Sequence, residues 1–160
     1  MKRYISMVGI CLAFAACRSG AVFERYVEIP DEIWSRYHVV ELKASIPDSG
    51  LYDVTLCVRH TTDYGMANLW CFVSTRSHAL MQLHDTVNMK MAEPDGRWVG
   101  EGRINRIVEQ PVGKNPVYLP QGTVIFRIEQ GMRFEEMEGV KSVGIRVEPW
   151  EEPEEETMTE

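Results

Sequence analysis

The feature that most constrains this chain is an apolar–polar alternation of period two that recurs from residue 37 to residue 148. "YHVVELKASI" (37–46) sets His38, Val40, Leu42, Ala44 and Ile46 against Val39, Glu41, Lys43 and Ser45. Successive side chains of a strand leave on opposite faces, so this pattern builds a sheet with one buried face. "YDVTLCVRH" (52–60) sets Val54, Leu56 and Val58 against Asp53, Thr55 and Arg59, and 80–91 alternates around Leu83, Asp85, Val87 and Met89. Runs 69–75, 123–130 and 142–148 are rich in β-branched and aromatic residues, and 21–29 makes a further strand. Pro47-Asp48-Ser49-Gly50, Asp63-Tyr64-Gly65, Pro94-Asp95-Gly96 and Pro120-Gln121-Gly122 supply the turns between them. Helical candidates are short: "DEIWSRY" (31–37) and "INRIVEQ" (104–110). The expectation is an all-β, single-domain antiparallel β-sandwich over 37–148, with 17–36 as anchor, spacer and first strand.

The first sixteen residues are of another kind. Lys2 and Arg3 precede an apolar run from Tyr4 to Cys17, too short to span a bilayer. It closes on Phe14-Ala15-Ala16-Cys17. This resembles a bacterial lipoprotein signal, with 1–16 removed as a signal peptide and Cys17 left as an acylated N-terminus; Phe14 stands where such signals usually carry Leu. Each acyl CH2 contributes about 0.8 kcal/mol, so two or three chains anchor a protein without a transmembrane helix. The membrane is therefore an expected partner through the lipid.

The mature chain would carry 15 basic and 24 acidic residues, a net charge of −9. Seven of those acids lie in 148–160, "EPWEEPEEETMTE", leaving 17–147 at −2. A nearly balanced body argues against nucleic-acid binding, which needs a basic stripe. The 149–160 stretch reads as an acidic, solvated, disordered tail. Beyond the signal and anchor, Cys57 and Cys71 remain. A symmetric hairpin centred on Tyr64 would set them opposite each other, and an oxidising compartment would permit a disulfide. The alternation instead puts Cys57 on the face opposite Val54, Leu56 and Val58, and two buried free thiols are the simpler expectation.

"PDGRWVGEG" (94–102) has the density of a site. A phosphate loop would need a helix behind its glycines and no Glu101 among them. Glu93, Asp95 and Glu101 could work as acid and base, but acids beside a turn are ordinary solvation. The turn explains more: Pro94 presets φ, Asp95-Gly96 suits a tight corner, and Trp98 packs on the sandwich edge. No metal site is expected from His38, His60, His78 and His84, nor any cofactor. Met89 and Met91 read as core filling. Trp70 is expected to be buried, Trp34 and Trp98 to be the better candidates for an exposed platform.

Three segments together, "RHTTDYGMANLWCFV" (59–73), "MAEPDGRWVGEG" (91–102) and "GTVIFRIEQGMR…GVKSVGIRVE" (122–148), resemble the gliding motility lipoprotein GldH family of Bacteroidetes. The most specific pieces are Asp95-Gly96-Arg97-Trp98 with Gly100 and Gly102, Asn68-Leu69, and Met132-Arg133. His60 stands where Asn is more usual. The resemblance implies a non-enzymatic, lipid-anchored envelope protein tied to gliding and type IX secretion. No acid follows Cys17 in Arg18-Ser19-Gly20-Ala21, which points to the periplasmic face of the outer membrane. The expected mode of action is protein–protein binding to envelope proteins. Two loops are expected to present the surface: Asp95, Gly96, Arg97, Trp98, Gly100 and Gly102 in one, and Asp63, Tyr64 and Asn68 in the 61–68 hairpin. The alternative is a glycan-binding or glycan-processing accessory lipoprotein.

Overall fold

The computed structural model describes residues 20–78, 83–114 and 116–152. The expected signal peptide, Cys17, the start of the 80–91 run and the expected tail from 153 onward lie outside the described residues. Eleven strands are formed within them: β1 Phe23–Glu28, β2 Ile33–Ser35, β3 Val40–Ile46, β4 Gly50–His60, β5 Asn68–Arg76, β6 His84–Lys90, β7 Arg106–Pro111, β8 Val117–Leu119, β9 Gly122–Gln130, β10 Glu136–Glu138 and β11 Val140–Pro149. All pairings are antiparallel, as the sequence predicts. One sheet runs β1-β11-β4-β7, with β8 also on β4; a second runs β3-β9-β5-β6; β2 and β10 form a small third sheet.

The alternation decides which face is buried. In β3, Val40, Leu42, Ala44 and Ile46 are buried while Glu41, Lys43 and Ser45 are exposed. Tyr52, Val54, Leu56 and Val58 of β4 face them from the other sheet, with Phe126 and Ile128 of β9, Leu69 and Val73 of β5, and Ile145 and Val147 of β11 in one core. Each such side chain contributes about 1.5–3 kcal/mol when fully buried. β11 keeps Val140, Val143, Ile145 and Val147 inward because a bulge at Lys141 shifts its phase: Val140 faces His60, and Ser142 faces Arg59.

Three expectations are corrected. Residues 31–37 form no α-helix: a 3₁₀ turn at Pro30–Glu32 gives way to β2, and residues 106–111 are strand β7. The sandwich begins at Phe23, because β1 pairs along its whole length with β11. Finally, 57–71 is no hairpin. β4 and β5 belong to different sheets, so the 61–67 segment is a crossover between them. Cys57 lies between Gly144 and Glu109, Cys71 between Val87 and Gln130, and both are buried free thiols.

This topology gives the molecule two ends. The Phe23, Pro149 and Gly50 end receives the N-terminus. The 61–68, 91–105 and 131–139 connections gather at the other.

Candidate functional site

The 91–107 corner is built by its backbone. Glu93 N–H donates to the Arg97 carbonyl (2.7 Å), Gly96 N–H to the Glu93 carbonyl (2.9 Å) and Val99 N–H to the Met91 carbonyl (2.8 Å). Asp95 caps the turn, accepting from Arg97 N (3.1 Å) and Nε (2.7 Å). Those bonds hold its carboxyl below the usual range. Glu101 and Ile107 exchange both backbone hydrogen bonds, and Arg106 Nη1 donates to the Gly100 carbonyl (3.1 Å). Trp98 packs against the core and sits 5.1 Å from the His60 ring, so it is a structural anchor of the edge. Asp95 and Arg97 remain exposed.

The three acids of this stretch do not converge. Glu93 pairs with Lys90 (2.6 Å) and Asp95 with Arg97. Glu101 lies in a separate recess of about 450 Å3 with Ile107, Glu109 and Arg146. There Arg146 binds Glu109 through both Nη atoms (2.8 and 2.7 Å), which keeps its guanidinium charged. Cys57 lies beneath this pair; burial first, then the Glu109 charge, pushes its thiol up to about 11. Among the described residues no group of three His, Cys, Asp or Glu side chains could hold a metal ion.

His60 is fully buried between Tyr64 (5.9 Å) and Trp98. Its Nδ1–H donates to the Thr61 carbonyl (2.9 Å), and Nε2 is buried with no partner. Burial holds its pKa below the ordinary imidazole value; Arg106 adds to this, against an opposing pull from the Thr61 carbonyl. The unfolded chain therefore binds more protons just below pH 6.5, the unperturbed value. Stability is expected to be full above that pH and to fall as pH drops toward the lower folded-state pKa. Urea unfolding at pH 7.5 and 5.5 measures the loss. In His60→Asn the difference should shrink; an undiminished difference would assign the titration to another group.

The expected presented surface at 61–68 is only partly there. Tyr64 is 1% exposed, and its hydroxyl donates to the Asn68 carbonyl (2.8 Å), so it is a core residue. Asp63 is exposed. The tryptophans also change roles. Trp34, expected on a platform, is 0% exposed, and Trp70, expected in the core, is 38% exposed.

Trp70 belongs to the groove that this end does present. Leu69, Cys71 and Val73 take the inward positions of β5, which turns Trp70 and Phe72 outward. Where β9 ends, the chain doubles past the start of β5: Gly131 N–H donates to the Trp70 carbonyl (2.7 Å), and Trp70 N approaches Met132 Sδ at 3.3 Å. A side chain at Gly131 would start 3.0 Å from the Phe72 ring, so the ring packs close over this glycine. Gln130 fixes the following loop, its Oε1 accepting from Met132 N (2.8 Å) and its Nε2 donating to the Phe134 carbonyl (3.0 Å). Asn68, Trp70, Gly131, Met132, Arg133 and Phe134 enclose about 420 Å3, with Phe134 52% exposed. Arg36 stands at the rim, donating to the Met132 carbonyl (3.0 Å). Two motif pieces more than sixty residues apart, Asn68-Leu69 and Met132-Arg133, thus meet at one site.

These features define a class: an antiparallel β-sandwich with no metal-ligating cluster among its described residues and an aromatic groove at one end. The family model for the GldH lipoprotein matches residues 21–147. The chain belongs to the GldH lipoprotein family. It is 25% identical over 147 residues to the gliding motility lipoprotein GldH homolog of Christiangramia forsetii, covering 86% of this chain and 89% of that one. It is 26% identical over 152 residues to the gliding motility lipoprotein GldH of Flavobacterium johnsoniae, covering 90% and 94%. Among solved structures it aligns with Eiger TNF from S. frugiperda at a TM-score of 0.39 and 7% identity, over 84% of this chain and 90% of that one, a likeness too distant to carry an argument.

Proposed function

We propose that this protein is a non-catalytic envelope lipoprotein, held through Cys17 to the periplasmic face of the outer membrane. It acts by binding another envelope protein in an assembly linked to gliding and type IX secretion. Family membership and the relatives' names support the lipoprotein and gliding parts of this reading. The single observation that carries the binding role is the Trp70–Met132–Phe134 groove. It offers exposed aromatics and a methionine held by a rigid backbone, with Arg36 and Arg133 beside them. Aromatic and arginine side chains are the residues that most often dominate protein interfaces. The exposed corner at Asp95 and Arg97 extends the same end of the molecule.

The test is cross-linking in cells with tagged protein, comparing wild type with Trp70→Ala/Phe134→Ala. Both side chains are exposed, so the melting temperature should hold. A partner recovered with wild type should weaken by about thirtyfold or more when such anchors are removed, a cost of at least ~2 kcal/mol. Undiminished recovery from a folded variant would remove the groove from the interface.

A second reading has one observation in its favour. Phe72, Ser74, Thr86, Arg127 and Glu129 line a shallow polar recess of about 630 Å3 beside Trp70. A ring among hydrogen-bonding groups on a sheet face suits a sugar. Glycan-array binding lost on Phe72→Ala, with no protein partner recovered, would favour it.

A further inference from the structure

The end of the sandwich that receives the N-terminus carries an apolar row of its own. Leu51 and Tyr118 are direct cross-strand neighbours, and Trp150 N–H donates to the Leu51 carbonyl (3.1 Å) on the other side. The row therefore runs from Trp150, just past the end of β11, through Leu51 of β4 to Tyr118 of β8, on the outer face, at its last position. Leu51 is 44% and Tyr118 46% exposed, and Trp150 is half-buried. The row is one residue deep: the next pair inward is Asp53 opposite Glu148. Glu151 and Glu152 follow Trp150 and are exposed.

The chain enters at this same end. Val22 N–H donates to the Val147 carbonyl (2.9 Å), and Phe23 pairs with Val147, two residues from Pro149. Five residue steps separate Val22 from Cys17. An extended chain of that length reaches about 18 Å at most. A lipid on Cys17 would therefore hold this end, and no other, against the bilayer. Tyr and Trp favour the interfacial layer, where an apolar ring and a polar tip are both satisfied.

We propose that Leu51, Tyr118 and Trp150 rest in the headgroup layer of the anchoring membrane and stand the sandwich upright on it. The proposal rests on the reading of Cys17 as lipidated. The acids around the row favour a zwitterionic over an anionic lipid surface, because each would be repelled by anionic headgroups. The ten residues of β11 then set the height. At about 3.3 Å per residue they lift the Trp70–Phe134 groove and the 94–102 corner about 30 Å from the lipid, facing away from it.

The test uses the mature protein purified from cells and placed in phosphatidylcholine vesicles, with Cys17→Ser secreted protein as the soluble control. Mass spectrometry of the N-terminal peptide comes first. Hydroxyl-radical labelling of Tyr118 and Trp150 should then fall about threefold or more on vesicles, as expected for rings leaving water for the interface. Trp70 and Phe134 should be unchanged. Replacing half the lipid with phosphatidylglycerol should reduce the protection. Leu51→Glu/Tyr118→Glu should abolish it at Trp150 while the acyl mass remains. Protein acylated at Cys17 but labelled equally with and without vesicles overturns the proposal. An N-terminal peptide without acyl mass overturns the anchor reading, and the tether argument with it.

Discussion

Gly100→Ala should destabilise the fold by about 3–4 kcal/mol, although the position is exposed. Two costs add. Gly100 has φ +91°, a left-handed conformation that costs a side-chain-bearing residue about 1–3 kcal/mol. Its Cβ would also meet the Ile107 carbonyl oxygen, a backbone atom that can yield only if the strand moves. Moving it breaks the Glu101–Ile107 bridge and loosens the seat of Trp98 against His60. Overpacking of this kind adds about 1–3 kcal/mol. Gly102 meets the Asn105 carbonyl in the same way and should behave alike. Gly96 has φ +83° but nothing within 4 Å of a Cβ, so Gly96→Ala should cost only the backbone term. Chemical denaturation of the three variants separates strain from collision. Equal losses at 96 and 100 would mean that the carbonyl contact contributes nothing.

The same corner shows what a sequence makes readable. Its turn and its packed tryptophan follow from local residue chemistry, because Pro94, Asp95 and Gly96 dictate a tight turn whatever surrounds them. The long strands follow for a similar reason. β3, β4, β9 and β11 are half-buried over seven or more residues, so their periodicity survives noise. Strands β2, β8 and β10 have three residues each, too few to show a period, and their state is set by the partners they meet. Alternation also names a face and not a neighbour. It put Cys57 opposite Val54, Leu56 and Val58 correctly, yet it could not show that 61–67 crosses to the second sheet. A hairpin of β4 with β5 would leave Tyr64 at the surface; the crossover instead carries it into the core.

The groove was hidden by another ambiguity. "NLWCFV" is apolar at both parities, so its phase cannot be read from hydrophobicity. The structure resolves it through the neighbours: Leu69 faces Met89, and Cys71 faces Val87 on the buried side. Trp70 and Phe72 are left outside by exclusion. The resemblance marks Asn68-Leu69 and Met132-Arg133 as distinctive but does not relate them. Only the β5–β9 pairing shows that they share a site.

Trp34 carries the second large expected effect, and its reason is long-range as well. Residues 31–37 begin with two acids and look like the first turn of a helix. Instead Asp31 and Glu32 both take positive φ, and Trp34 enters the core opposite Met137. It is wholly buried, and its Nε1–H donates to the His38 carbonyl (2.9 Å). The β2–β10 ribbon thus joins the sandwich core through Trp34 and Met137. Trp34→Ala should cost about 3–5 kcal/mol for the cavity and lost transfer energy. The freed His38 carbonyl can turn to solvent, so the hydrogen bond adds no more than about 1 kcal/mol. Trp34→Phe keeps most of the volume and should recover more than half of the loss. Thermal melting should show a drop on the order of 10 °C or more for Trp34→Ala. Trp70→Ala, its exposed counterpart, should leave the midpoint nearly unchanged. Reversed magnitudes would mean that Trp34 lies on the surface and Trp70 in the core, and Trp70 would then not line the groove.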